Sequence, residues 1–242
     1  MNREYHQAYS PALQRNMELL LFGHAGTPVL FFPARMGRFY DYEDWRVIDA
    51  LKGKIEEGNL QVCCVDSVDT ESFYCDSRPP AGKMARHLQY EQYILQEVIP
   101  LLQSRNPGTA LVSAGCSLGA YHAVNIAFRH PRFFCKVVAM GGRYDLSQQV
   151  SHYTNLLQGY WDENVYYNMP NQYVPNINDP ALLAFLRKLE IILVVGQEDP
   201  FLGSNLYLSQ VLCAKDIPNL LYVWQEEAHK SRYWRKMVEL YL

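Results

Sequence analysis

An α/β fold, with a mostly parallel sheet of about eight strands and helices on both faces, is what this sequence predicts. Three observations predict it. Short apolar runs alternate with longer stretches of helical periodicity, the pattern of strands covered on both sides. One of those runs passes directly through Gly115-Cys116-Ser117-Leu118-Gly119 into a helix-like stretch, a strand–tight turn–helix junction. The 242 residues are 49% apolar and 19% charged, enough for one large core, and no repeat, low-complexity tract or linker divides them. A single domain over 1–242 is expected.

The elements follow in order. Tyr5 to Leu13 and Asn16 to Gly23 read as an opening hairpin. Pro28 to Phe32 is a continuous apolar run, as a doubly covered strand requires. Trp45, Ile48, Leu51 and Ile55 fall at helical spacing, so Trp45 to Ile55 is predicted as a helix. Leu60 to Val65 is the next strand. Met84 to Leu102 is a long helix with Tyr90, Tyr93, Ile94, Val98 and Leu101 on one side. Ala110 to Ser113 leads into the glycine-flanked serine, followed by a helix from Ala120 to His130. Val137 to Met140, Ile191 to Val195 and Leu220 to Trp224 complete the strands, and Tyr233 to Tyr241 closes the chain as a helix.

Between these elements lies an insertion at about 143–178, with little helical period and many aromatics, including Tyr144, Tyr153, Tyr160, Trp161, Tyr166, Tyr167 and Tyr173. Loops of that length in compact domains are commonly lids or binding segments. It is expected to cap the sheet edge that carries Ser117, with Tyr144, Tyr160 and Trp161 as substrate contacts.

Bulk properties exclude several classes. A net charge of −3 without a Lys/Arg cluster gives no field for nucleic acid. No run approaches membrane-spanning length, and the first residues lack a signal-peptide core. The six cysteines show neither CxxC pairs nor a disulfide framework, which fits a reduced, cytoplasmic protein. No HxxxH or HExxH spacing occurs, and Asp66, Asp69, Glu71 and Asp76 lack the spacing of a calcium loop, so no metal and no cofactor is expected. No G-x-G-x-x-G follows the first parallel strand, which removes a dinucleotide-binding reading.

The chemistry centres on Ser117. In G-x-S-x-G the flanking glycines permit a turn too tight for other side chains, and the serine is presented at its tip. A serine hydroxyl needs a general base oriented by a third group. Asp199 follows the strand Ile191 to Val195, and His229 follows the last strand; both fall at the carboxyl edge of the sheet, where the turn also lies. Glu198 adjoins Asp199 as a competitor, whereas Glu226 and Glu227 are too near His229 in sequence to orient it easily. His122 and His130 are carried away along the following helix, His87 opens the long one, and His6, His24 and His152 have no strand-end setting. Cys116 sits one residue too early to be the nucleophile. Oxyanion donors are expected from the backbone of Leu118 and, in the loop Pro33-Ala34-Arg35-Met36-Gly37-Arg38, of Arg35. The side chains of Arg35 and Arg38 either recognise an anionic group at the entrance or pair with Asp41, Glu43 or Asp44.

With Gly115-Cys-Ser-Leu-Gly-Ala-Tyr-His-Ala123, Gly196-Gln-Glu-Asp199 and His229 assembled, the chain resembles the α/β-hydrolase superfamily and within it the putative esterase (esterase D-like) family. That group includes feruloyl esterases, S-formylglutathione hydrolase and mycolyl transferases. Gly37-Arg-Phe-Tyr-Asp-Tyr-Glu-Asp44 and Val65-Asp-Ser-Val-Asp69 add to the likeness, which covers nearly the whole chain. It implies an α/β-hydrolase fold with Ser117 as nucleophile, Asp199 as orienting acid and His229 as base. Two departures stand out: Ala120 replaces a second glycine common after the turn, and the loop Glu226-Glu-Ala-His-Lys-Ser-Arg-Tyr-Trp234 is unusually charged.

The expected activity is hydrolysis of a small-molecule carboxylic ester through an acyl-enzyme, with a sugar or phenolic ester suited to the aromatic cap. An acyltransferase on the same triad and a catalytically idle binding protein are the alternatives. Natural substrate, acyl chain length and oligomeric state, homo-oligomer included, are left open by the sequence.

Overall fold

The computed structural model describes all 242 residues. Eight strands form one sheet: β1 (Arg3–Ser10), β2 (Arg15–Phe22), β3 (Thr27–Phe32), β4 (Leu60–Val65), β5 (Leu111–Cys116), β6 (Phe134–Met140), β7 (Glu190–Gly196) and β8 (Leu220–Trp224). Their order across the sheet is β1-β2-β4-β3-β5-β6-β7-β8. β1 and β2 pair antiparallel, β2 meets β4 antiparallel, and every later pair is parallel. The parallel strands therefore deliver their C-termini to one edge, where their loops converge. β5 is central to that arrangement, with Gly115 opposite Phe32 on one side and Ala139 on the other.

Strand periodicity divides the core. Leu30, Phe32, Cys63 and Val65 point to one face, under the helices Pro80–Tyr93 and Leu118–Arg129. Val29, Phe31, Val62 and Cys64 point to the other, against Tyr42, Ile48 and Ile55 and the C-terminal helix Ser231–Tyr241. Cys63, Cys64 and Cys116 are thus small buried apolar residues, and burial pushes the Cys63 thiol up to about 12.

Three local outcomes differ from the sequence reading. The stretch Trp45 to Ile55 carries its apolar residues inward at helical spacing, yet it forms two short helices, Val47–Ala50 and Lys52–Glu56, behind a third, Asp41–Asp44. Arg46, at φ 58°, is left-handed and breaks the run. The long helix is more extensive than expected: Pro80–Tyr93 continues through a π-turn at Ile94–Val98 into Ile99–Arg105. Pro100 lacks an N–H and would strike the carbonyl four residues back, and the wider turn accommodates it. The helix Leu202–Ala214 gave no periodic signal because its apolar residues surround it, Leu208 and Leu212 buried, Leu206 and Tyr207 exposed.

The 143–178 stretch holds two one-turn helices, Glu163–Tyr166 and Pro170–Tyr173, and is anchored by its own core. Leu146, Leu157, Val165 and Met169 bury themselves against Phe73, Met84, Leu118 and Tyr121 of the sheet-covering layer.

Candidate active site

Ser117 links β5 to the helix Leu118–Arg129, and its backbone sits at φ 58° and ψ −119°, a conformation L-residues rarely adopt. The surroundings hold it there. Its N–H donates to Met140 O on β6 at 2.8 Å, and its carbonyl accepts from the Ala120 N–H at 3.1 Å. The two glycines are dictated by contact rather than by φ. A Cβ on Gly115 would lie 2.1 Å from Gly119 O, and one on Gly119 would lie 2.3 Å from Phe32 O. Below the turn, the buried Tyr42 hydroxyl donates to Phe32 O at 2.7 Å and accepts from the Cys116 N–H at 3.1 Å, tying β3 to β5.

Asp199 and His229 meet at the same edge. His229 Nδ1 lies 2.7 Å from Asp199 Oδ2, and Asp199 Oδ1 accepts from the Phe201 N–H at 2.8 Å, so both carboxylate oxygens are engaged in a buried setting. That pairing orients the imidazole with Nε2 away from the acid. Phe201 and Trp234 flank the ring edge-on, each 5.7 Å away between centroids. The loop that carries His229 is strained, with Glu226 at φ 63° and Ala228 at φ 51°. Two glycines make room for it: a Cβ on Gly196 would lie 1.9 Å from Glu227 O, and one on Gly141 would lie 2.7 Å from His229 Nδ1.

Ser117 and His229 line one cavity of about 220 Å³ together with Ala34, Arg35 and Leu118. Tyr74, Tyr153, Phe201 and Trp234 supply aromatic walls. Leu118 opens its helix, so its N–H has no intrahelical acceptor. The Arg35 N–H has no partner in the chain, while the next amide, Met36, donates to Asp69 Oδ2 at 2.8 Å and pins the loop. Leu118 and Arg35 thus line the cavity that holds Ser117, each with an amide that has no partner in its helix or loop.

Residues 10–235 match a family model named Esterase and described as "Putative esterase". The chain belongs to that esterase family. Solved structures agree on the fold. A ferulic acid esterase superposes with a TM-score of 0.78 at 17% identity, covering 99% of this chain and 95% of that one. The S-formylglutathione hydrolase of Agrobacterium tumefaciens gives 0.76 at 16%, covering 98% and 91%. A fluorophosphonate-binding serine hydrolase of Staphylococcus aureus, solved with substrate bound, gives 0.69 at 16%, covering 99% and 96%. No curated protein matches the sequence. The architecture is that of an α/β-hydrolase.

In this esterase the other candidates stand apart from the cavity. Glu198 is exposed, and its backbone merely bonds Glu226 O. His122 lies 3.5 Å from Asp69 and stacks on Phe32; His87 bonds Asn168, and His130 bonds Glu91. Cys116 is buried beneath the turn, its thiol pushed up by burial. Arg38 is spent on Asp66 and Glu18, both at 2.8 Å, rather than on the cavity. That corrects its expected entrance role and differs from the Asp41, Glu43 or Asp44 pairing too. Asp66, the residue after β4, is a buried acid that takes the Arg38 Nε.

The expected aromatic contacts are likewise displaced. Tyr144 is fully buried, bonding Asn205 Oδ1 at 3.2 Å; Tyr160 bonds Asp162; Trp161 is 60% exposed and packs near Tyr166. None of the three lines the cavity: Tyr144 is taken into the core, Tyr160 is tied to Asp162 and Trp161 faces outward. Tyr153 is the aromatic of the insertion that reaches it. Sequence reasoning missed Arg143, Leu146, Phe201 and Trp234 as cavity walls. Phe201 and Trp234 could have been found, since each lies within five residues of Asp199 or His229.

Proposed function

We propose that this esterase hydrolyses carboxylic esters through an acyl-enzyme on Ser117, with His229 as general base and Asp199 as its orienting acid. The reading rests on one observation: a strained serine shares a cavity with a histidine whose Nδ1 is held by a buried aspartate. Ser117 Oγ attacks the ester carbonyl carbon while His229 Nε2 takes its proton, and the carbonyl oxygen becomes an alkoxide. The Leu118 and Arg35 amides donate to that oxygen. Collapse of the intermediate expels the alcohol, which takes the proton from His229. Water, deprotonated by His229, then attacks the acyl carbon and returns Ser117 with release of the acid. Asp199 stays ionised throughout and stabilises the imidazolium.

Four aromatic walls around a small cavity suit an ester with a ring near the reacting carbonyl, and the ferulic acid esterase likeness accords with that. Phenyl acetate hydrolysis should be measurable, and Asp199→Asn should lower kcat by about 10⁴ while leaving KM within a few-fold. Unchanged kcat in Asp199→Asn would remove Asp199 from the mechanism.

A further inference from the structure

Arg143 follows β6 and is buried at 4% exposure, yet it has no acid to pair with. All its hydrogen bonds leave through one nitrogen: Nη2 donates to the carbonyls of Thr154 at 2.8 Å, Leu146 at 3.5 Å and Gln148. Nε is buried with no acceptor at all. Asp145 is nearby, but Ser147 occupies its Oδ1 and Gln172 its Oδ2. Burial pulls the Arg143 pKa below the ordinary arginine value, but a guanidinium remains charged at neutral pH. A buried, unpaired cation is costly, and proteins keep one where something else supplies the counter-charge.

The cavity supplies the context. Arg143 lines it beside Ser117 and His229, and Arg35, exposed, with its guanidinium 5.8 Å from the Tyr74 ring centroid, lines it too. No acidic side chain lines that cavity. The reacting serine therefore faces two cations and no anion.

We propose that Arg143 and Arg35 form an anion subsite next to Ser117, and that the substrates are esters carrying a carboxylate near the scissile bond. This rests on the ester-hydrolase reading above and deepens it. A carboxylate would meet Arg143 Nη1, which makes no hydrogen bond within the chain, and the exposed guanidinium of Arg35, in charge-assisted bonds within a partly desolvated cavity. Binding the charge would also draw the ester carbonyl toward the Leu118 and Arg35 amides, so the gain should appear in kcat/KM.

Two matched pairs of esters test it: 4-acetoxybenzoate against its methyl ester, with the charge on the leaving phenol, and monophenyl adipate against its methyl ester, with the charge on the acyl group. In at least one pair the anionic member should have a kcat/KM about tenfold or more above the neutral one. That ratio should fall toward one in Arg143→Met and in Arg35→Gln, and survive in part in Arg143→Lys. Should Arg143→Met fail to fold, Arg35→Gln, altered only at an exposed side chain, still decides the point. Neutral esters preferred or equal in both pairs, with turnover intact, would overturn the subsite and leave the hydrolase reading standing. Calorimetry with benzoate and benzamide needs no turnover: tighter benzoate binding that is lost in Arg35→Gln supports the subsite even if no ester is cleaved, and equal binding overturns it.

Discussion

At the scale of single residues, the site depends on backbone conformations that side chains resist. Ser117 at φ 58° costs roughly 1–3 kcal/mol, offset by the bonds its N–H and carbonyl make across the turn. The sequence revealed this position because only glycines fit on either side of it. Asp199 and His229 were legible for a related reason, since each follows a strand whose end lies at the same sheet edge. Gly141 was not legible. Its φ of +66° and its closeness to the imidazole arise from the meeting of β6 with the His229 loop, which lie far apart in the chain. Gly141→Ala should push the His229 ring aside and lower kcat on phenyl acetate about 10–100-fold, with KM within a few-fold of the parent enzyme. Steady-state kinetics checks this, and wild-type kcat would mean the ring has room to move. Arg143 escaped notice because nothing in its neighbourhood marks it as unpaired; burial and lost partners are three-dimensional facts.

At the scale of elements, the strands were read best because doubly covered strands are short, uniformly apolar and bounded by polar loops. β4 and β8 were predicted at their observed limits. Helices fared less well wherever one residue interrupts a good periodic pattern, as Arg46 and Pro100 do. Element packing also carries the turn at Ser117. Tyr42, from the short helix Asp41–Asp44, bridges the Phe32 carbonyl and the Cys116 N–H, fixing the spacing of β3 and β5 beside the turn. Tyr42→Phe leaves that buried N–H unpaired and should cost about 1–3 kcal/mol in urea unfolding. A loss below about 0.5 kcal/mol would show that the two strands hold their spacing without it.

At the scale of the whole molecule, the insertion is where the sequence reading and the structure diverge most. Its aromatics signalled substrate contacts, but Tyr144, Tyr160 and Trp161 lie outside the cavity and Tyr153 reaches it, and a pattern without periodicity cannot say which. A second molecular property is acid sensitivity. His87 is buried, and burial lowers its pKa to about 3 from the ordinary 6.5, so the native state keeps it neutral. Above pH 6.5 it makes no demand on folding. As pH falls from 6.5 toward 3 the unfolded chain takes up a proton that the native state refuses, and stability declines by up to about 1.4 kcal/mol per pH unit from this group. Glu91 adds its own loss only below 4.5: burial raises its pKa, but bonds from His130 and Arg129 outweigh that and hold it at about 2. Unfolding free energies between pH 6.5 and 4.5 should therefore slope less steeply in His87→Gln than in the parent protein. Equal slopes would show that His87 is protonated in the native state.

Covalent labelling with a fluorophosphonate, read by intact mass and peptide mapping, asks whether Ser117 is an activated nucleophile. One adduct is expected, on Ser117, absent in Ser117→Ala and formed far more slowly in His229→Ala. No adduct on the folded protein, or an adduct on another residue that persists in Ser117→Ala, would contradict that assignment.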